Sequence, residues 1–285
     1  MEGALMAPPH SRRAFLTGTV GAGIGLAGCG SSSSVEGLRT PTFESVVSGV
    51  TVESQEIVLS LSSSDVTEAV LIGPDGTAFD SQTVETGERT VRFQIIELDL
   101  SLSRYSHYTP GMYEIFVVAD DEEFSQSLSL VPELQITAVE QYRDGERDID
   151  LSRLAFTVEN VGTGPTWVYD FAFEGAPNYT ANGTLSDNYE ILYLQLPTTA
   201  DDAILSPSEA QRYVTSAWPL ALPEDSDGCV GGELRFLTQI GVADGNHLST
   251  ELIADFSGES YTVGIAEEVV CTDVSVSLAG STDAN

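Results

Sequence analysis

The chain has 285 residues, with 44 aspartates and glutamates against 11 basic residues, a net charge of −33 at pH 7, and no lysine at all. Acidity this strong excludes nucleic acid as a partner, because phosphate affinity needs a basic surface. Hydrophobic residues at 41% and aromatics at 8% equally exclude an acidic disordered chain, so the sequence codes for a globular fold.

The first element is Ser11 to Cys29, SRRAFLTGTVGAGIGLAGC. Arg12 and Arg13 precede an apolar, glycine-laced run from Ala14 to Gly28. A bilayer-spanning helix needs roughly 20 apolar residues, and this run is shorter. A positive start, a short apolar stretch and small residues before a break make a signal peptide of residues 1–28. Ser11 to Leu16 resembles the twin-arginine export motif S-R-R-x-F-L, with Thr17 where lysine is common. Leu26-Ala27-Gly28-Cys29 resembles a lipobox. Together these resemblances imply export by the twin-arginine route, lipidation of Cys29 and lasting attachment to the outer face of the cell membrane. Two acyl chains anchor stably where one is marginal. Gly30 and Ser31 to Ser34 open a tether, residues 29–41, too poor in apolar surface to order itself.

After loss of residues 1–28 the charge becomes −34, from nine arginines against 43 acidic residues. Such a charge makes a compact chain repel itself. Salt relieves that cost, the screening length at 1 M being about 3 Å. An evenly acidic, lysine-free folded chain is similar to secreted haloarchaeal proteins, which implies stability in concentrated salt.

The remaining length suggests two domains, 42–131 and 132–278, with a tail at 279–285. In the first, alternation has period two: Ile57, Leu59 and Leu61 face one way. Gly73-Pro74-Asp75-Gly76 predicts a tight hairpin turn, and Glu85 to Glu88 a second turn. Tyr113, Ile115 and Val117 alternate with Glu114 and Phe116 after Thr109-Pro110-Gly111. This pattern resembles late strands of immunoglobulin-like modules. Leu98 to Tyr108 reads as a crossing loop or an edge strand. Short strands with regular turn signals predict an all-β architecture of two antiparallel immunoglobulin-like β-sandwiches.

Pro132 interrupts the pattern, which restarts at Leu134. Leu154 to Val158 predicts a strand leading into Asn160-Val161-Gly162-Thr163-Gly164-Pro165. Trp167, Tyr169, Phe171 and Phe173 then line one strand face, read as core rather than as a ligand groove. Leu205-Ser206-Pro207-Ser208-Glu209 precedes a strand from Tyr213 to Trp218, and Glu233 to Val242 is another. From Leu151 to Val242 this order resembles the CARDB-like modules of archaeal surface proteins, with Ser208 where glycine is usual and a longer connection at 175–200. Tyr261 to Ile265 and Val274 to Leu278 supply two final strands, the last starting at Cys271.

With Cys29 lipidated, Cys229 and Cys271 face an oxidising exterior and are expected to pair. Asn178-Tyr179-Thr180 and Asn182-Gly183-Thr184 are candidate N-glycosylation sites in the long connection. Asp144, Glu146, Asp148 and Asp150 alternate in RDGERDIDL, an oxygen cluster of the kind calcium takes. The EF-hand positions for glycine and glutamate hold Ile149 and Ala155, so the run reads as a solvated acidic hairpin and no metal or other cofactor is expected. His107 and His247 read as loop residues, and neither a G-x-S-x-G nor a lysine-bearing phosphate loop occurs. The expected function is a non-catalytic, lipid-anchored surface protein whose partners are the membrane, through Cys29, and a membrane or surface-layer protein. The alternatives are a solute-binding lipoprotein serving a transporter and a secreted hydrolase with an unfamiliar site.

Overall fold

The structure is a computed structural model describing residues 42–100, 104–178, 183–187, 189–226, 228–263 and 267–279. In chain order its strands are β1 (Val47–Val52), β2 (Glu56–Leu61), β3 (Val66–Ile72), β4 (Ala78–Thr83), β5 (Thr90–Gln94), β6 (Ile96–Asp99), β7 (Arg104–His107), β8 (Gly111–Ala119) and β9 (Glu122–Leu130). Then follow β10 (Leu134–Gln141), β11 (Leu154–Asn160), β12 (Val168–Glu174), β13 (Ala210–Val214), β14 (Gly232–Val242), β15 (His247–Val263) and β16 (Glu268–Leu278). Two four-residue helical turns, α1 (Phe43–Val46) and α2 (Ala200–Ala203), and a 3₁₀ turn at Asp148–Ser152 complete it.

The two halves are wired alike. In the first, the sheet β1-β2-β5 opposes β4-β3-β8-β9; in the second, β10-β11-β13 opposes β12-β14-β15-β16. Every ladder is antiparallel, and among the described residues none joins a strand before Pro132 to one after it. These are the A-B-E and C-F-G sheets of an immunoglobulin-like sandwich. The first sandwich has β4 as an extra strand beside its C strand. The second has residues 175–200 at that point of the chain, and adds β16 beyond its G strand.

Alternation builds the cores, since successive strand side chains face opposite ways. Ile57, Leu59, Leu71, Phe93, Tyr113, Ile115 and Val117 are fully buried between the first pair of sheets. In the second, Phe156 of β11 stacks on Phe171 and Phe173 of β12 with ring centroids 5.1 and 6.5 Å apart. The glycine-proline turn closes the β3–β4 hairpin as expected, with Gly76 at φ 77°.

Four expectations need correction. Leu98 to Tyr108 contributes to a paired hairpin, β6–β7, and is neither a plain loop nor a single edge strand. Tyr169 is buried, but a register shift between Val168 and Asp170 breaks the alternation that would set it beside Phe171. It stacks edge-on against Tyr189, 5.4 Å away, over Gly241, where a Cβ would lie 2.5 Å from the Tyr169 ring. β13 ends at Val214, so Trp218 lies beyond it. The last strand begins at Glu268, placing Cys271 inside it opposite Ser260, and β15 begins well upstream of Tyr261, at His247.

Candidate functional site

Arg12, Arg13, Cys29 and Asn182 lie outside the described residues. Cys229 and Cys271 form a disulfide, with Cα atoms 5.5 Å apart and both residues buried. It ties β16 to the loop that enters β14. Asn178 is 8% exposed and its side-chain nitrogen donates to Glu268 Oε1 at 3.0 Å, so the atom a glycan would occupy faces a carboxylate.

The acidic run lies in the connection of the β10–β11 hairpin with Asp144, Glu146 and Asp148 exposed, and only Asp150 departs from a solvated position. Asp150 is buried, accepting from Arg153 Nε at 2.9 Å and from Arg147 at 2.9 Å. Burial pushes its carboxyl upward, but the hydrogen bonds from Arg147 and Arg153 outweigh that and hold it below the usual carboxylate range. Arg153 is itself buried, donating to the carbonyl oxygens of Thr215 and Ser216 and lying over the Trp218 ring. Asp144 pairs instead with Arg212 at 3.3 Å. Oxygens engaged by guanidinium groups are not a vacant cation cage. Among the described residues no group of three or more His, Cys, Asp or Glu side chains is placed to hold a metal ion.

The sequence reading passed over the seam between the sandwiches. Asn160, fully buried at the end of β11, organises it. Its amide nitrogen donates to the Gly164 and Leu205 carbonyls at 2.9 and 3.0 Å, and its oxygen accepts from Gly162 N at 3.0 Å and Glu133 N at 3.3 Å. One side chain thereby fixes the β11–β12 turn, the strand-linking segment at Glu133 and the turn before β13. Only glycine fits at two positions of that turn. A Cβ on Gly162 would lie 2.3 Å from the Val131 carbonyl oxygen, and one on Gly164 would lie 2.0 Å from the Tyr108 hydroxyl. Tyr108 crosses the seam to donate to the Pro165 carbonyl at 2.9 Å.

His107 ends β7 beside this contact, and is not a loop residue. Its ring stacks on Tyr108 at 4.3 Å and tilts against Trp167 at 5.5 Å. Nδ1 lies 2.6 Å from the Tyr108 carbonyl oxygen, and Nε2 is buried without a partner among the described residues. Burial lowers its pKa, against smaller opposing effects of the Tyr108 carbonyl and Asp244. His247 opens β15 on the surface, opposite Gly241.

With this geometry in hand, the chain was compared with known proteins. No family model matches it, and no curated protein matches it. Among solved structures, a crystal structure of bovine butyrophilin is similar to it at 13% identity, covering 71% of this chain and 92% of that chain, with a TM-score of 0.19. A superposition at that level carries no argument, and the fold rests on the strand pairing described above.

Residues 183–187 and 189–198 strap one side of the second sandwich. Asp170 on β12 anchors it by accepting from Ser186 N at 2.8 Å, and burial raises the pKa of that carboxyl against the hydrogen bonds it accepts. Leu192 N donates to the Tyr169 carbonyl at 2.7 Å, and Leu194 N to the Val214 carbonyl at 2.8 Å.

Proposed function

We propose that the protein is a lipid-anchored, extracellular surface protein that works through non-catalytic contacts of its immunoglobulin-like sandwiches with a membrane or cell-envelope protein in high salt. One observation carries this reading: tandem sandwiches follow, after the short Gly/Ser-rich stretch 29–41, a sequence that resembles a twin-arginine signal joined to a lipobox. Such sandwiches present loops and sheet edges for recognition on a rigid scaffold. A transporter-linked solute receptor alternates strands with helices, whereas α1 and α2, each of four residues, are the only α-helices among the described residues. No described helix is long and apolar enough to cross a membrane, which leaves attachment to Cys29 in this reading.

The test is carboxylate-directed cross-linking with mass spectrometry on native membranes at their own salt concentration, since the chain has no lysine to link. The expected result is a recurring membrane or surface-layer partner, lost together with membrane attachment in Cys29→Ser. Self-links alone, or attachment unchanged in Cys29→Ser, would overturn the reading.

A further inference from the structure

The two sandwiches share one wiring but not one closure. In the second, the side between the outer strands β12 and β13 is filled by the chain itself. The strap bonds to the Tyr169 carbonyl on one edge and the Val214 carbonyl on the other, Tyr193 bridges Thr215, and Ile191 and Tyr193 are buried. An extended segment with alternating apolar side chains thus completes the module.

In the first sandwich the corresponding side lies between β4 and β5, each the outer strand of its sheet. Among the described residues neither strand is paired on its outer side. The β6–β7 hairpin covers part of this side, with Ile96 and Leu98 buried, and a groove remains between it and β4. A cavity of about 320 Å³ lies between Phe79 of β4 and Gln94, Ile96 and Glu97. A second, of about 280 Å³, shares Phe79 and continues past Asp75 to Tyr113. A third, of about 460 Å³, shares Gln94 and Glu97 and reaches α2. Phe79 is 42% exposed, its ring resting edge-on against Tyr113 at 5.8 Å. Carboxylates line the groove and no arginine does, with Glu97 paired to Arg104 outside it at 4.0 Å.

We infer that this side docks an extended segment of a partner protein, laid along β4, with an apolar side chain over Phe79 and basic residues toward Asp75 and Glu97. An exposed edge supplies backbone bonds for affinity, and the groove supplies side-chain selection. A second copy of this chain fits worse. Its own strap carries Asp187 and Glu190 and no arginine, and would set carboxylates against carboxylates. The inference rests on the surface-contact reading above and names the face that makes the contact.

The test replaces Phe79 in the full-length chain with photoreactive benzoylphenylalanine, and in a parallel chain replaces Val230, which is 85% exposed on another loop. Both are irradiated in native membranes, and the adducts are sequenced by mass spectrometry. The expected adduct at position 79 is a segment of another polypeptide that carries an apolar residue and arginine or lysine. It should be absent at position 230 and lost in Gln94→Arg, which fills the groove, provided that variant keeps its melting temperature. Adducts to a second copy or to lipid only, equal yields at both positions, or persistence in Gln94→Arg would overturn the groove. If carboxylate cross-linking still recovers a partner linked through other strands, the surface-contact reading stands and the groove alone falls.

Discussion

Ser208 occupies a backbone conformation, φ 66°, where a Cβ costs about 1–2 kcal/mol. Its amide still donates to the Asn160 carbonyl at 2.7 Å, so the turn is held by that seam residue despite the strain. Ser208→Gly removes the Cβ clash and keeps the bond, at the cost of more freedom in the unfolded chain. The net expectation is a gain of about 0.5–1 kcal/mol, read as a shifted denaturant midpoint with unchanged slope. His107 makes a second prediction at this scale. Its folded pKa lies below the ordinary value of 6.5 because its ring is buried, so the unfolded chain binds the extra proton first. Stability from this group is therefore full above pH 6.5 and is lost as pH falls through that value toward the lowered one. The charged group facing the ring is Asp244, whose effect is the smaller. His107→Phe keeps an aromatic against Tyr108 and Trp167 but cannot titrate. The difference in melting temperature between wild type and variant should change across mildly acidic pH, and a constant difference would remove His107 as the cause.

At the scale of elements, one carboxylate anchors the start of the strap. Asp170→Ala removes the carboxylate that accepts from the Ser186 amide, a half-buried hydrogen bond to a charged group whose loss costs about 1 kcal/mol. The expected signature is local: faster hydrogen exchange in peptides from 183–196, with β14 still protected. Unchanged exchange there would mean that Leu192 and Leu194 hold the strap unaided. How far such elements were legible follows from their physics. Alternation alone reveals β5 and β8, whose inner and outer faces differ sharply. The upstream half of β15 carries the same signal in Leu252, Ala254 and Phe256. Tyr169 was misplaced because a bulge is a property of pairing and leaves no mark on one strand's own periodicity. The disulfide was readable from compartment and count. The Asp150–Arg153 pair and the Asn160 seam were not, since burying a charge or an amide is decided by partners distant in sequence. The groove beside β4 was equally hidden, because an unfilled edge shows only against the filled one in the second sandwich.

For the whole molecule, the arginines decide how much acidity is neutralised. Arg92, Arg104, Arg143, Arg147, Arg153, Arg212 and Arg235 all form ion pairs, but they reach only nine different carboxylates among the described residues. Apart from the buried Asp150–Arg153 pair, these are exposed or half-exposed, and such pairs contribute about 0–1 kcal/mol each. They cannot offset the mutual repulsion of the remaining acidic residues in a chain with 44 of them. Screening can, because the Debye length shrinks from about 10 Å at 0.1 M to about 3 Å at 1 M. The melting temperature should therefore fall on moving from multimolar KCl to about 0.1 M KCl. The disulfide restrains the same expansion: closing 42 residues limits the unfolded chain by about 4 kcal/mol in the chain-entropy model. Reduction at low salt should then lower the melting temperature further, and the two effects should add, since one acts on charge and the other on chain entropy. A melting temperature indifferent to KCl would show that local pairing already balances the surface, and the case for a protein built for concentrated salt would fail with it.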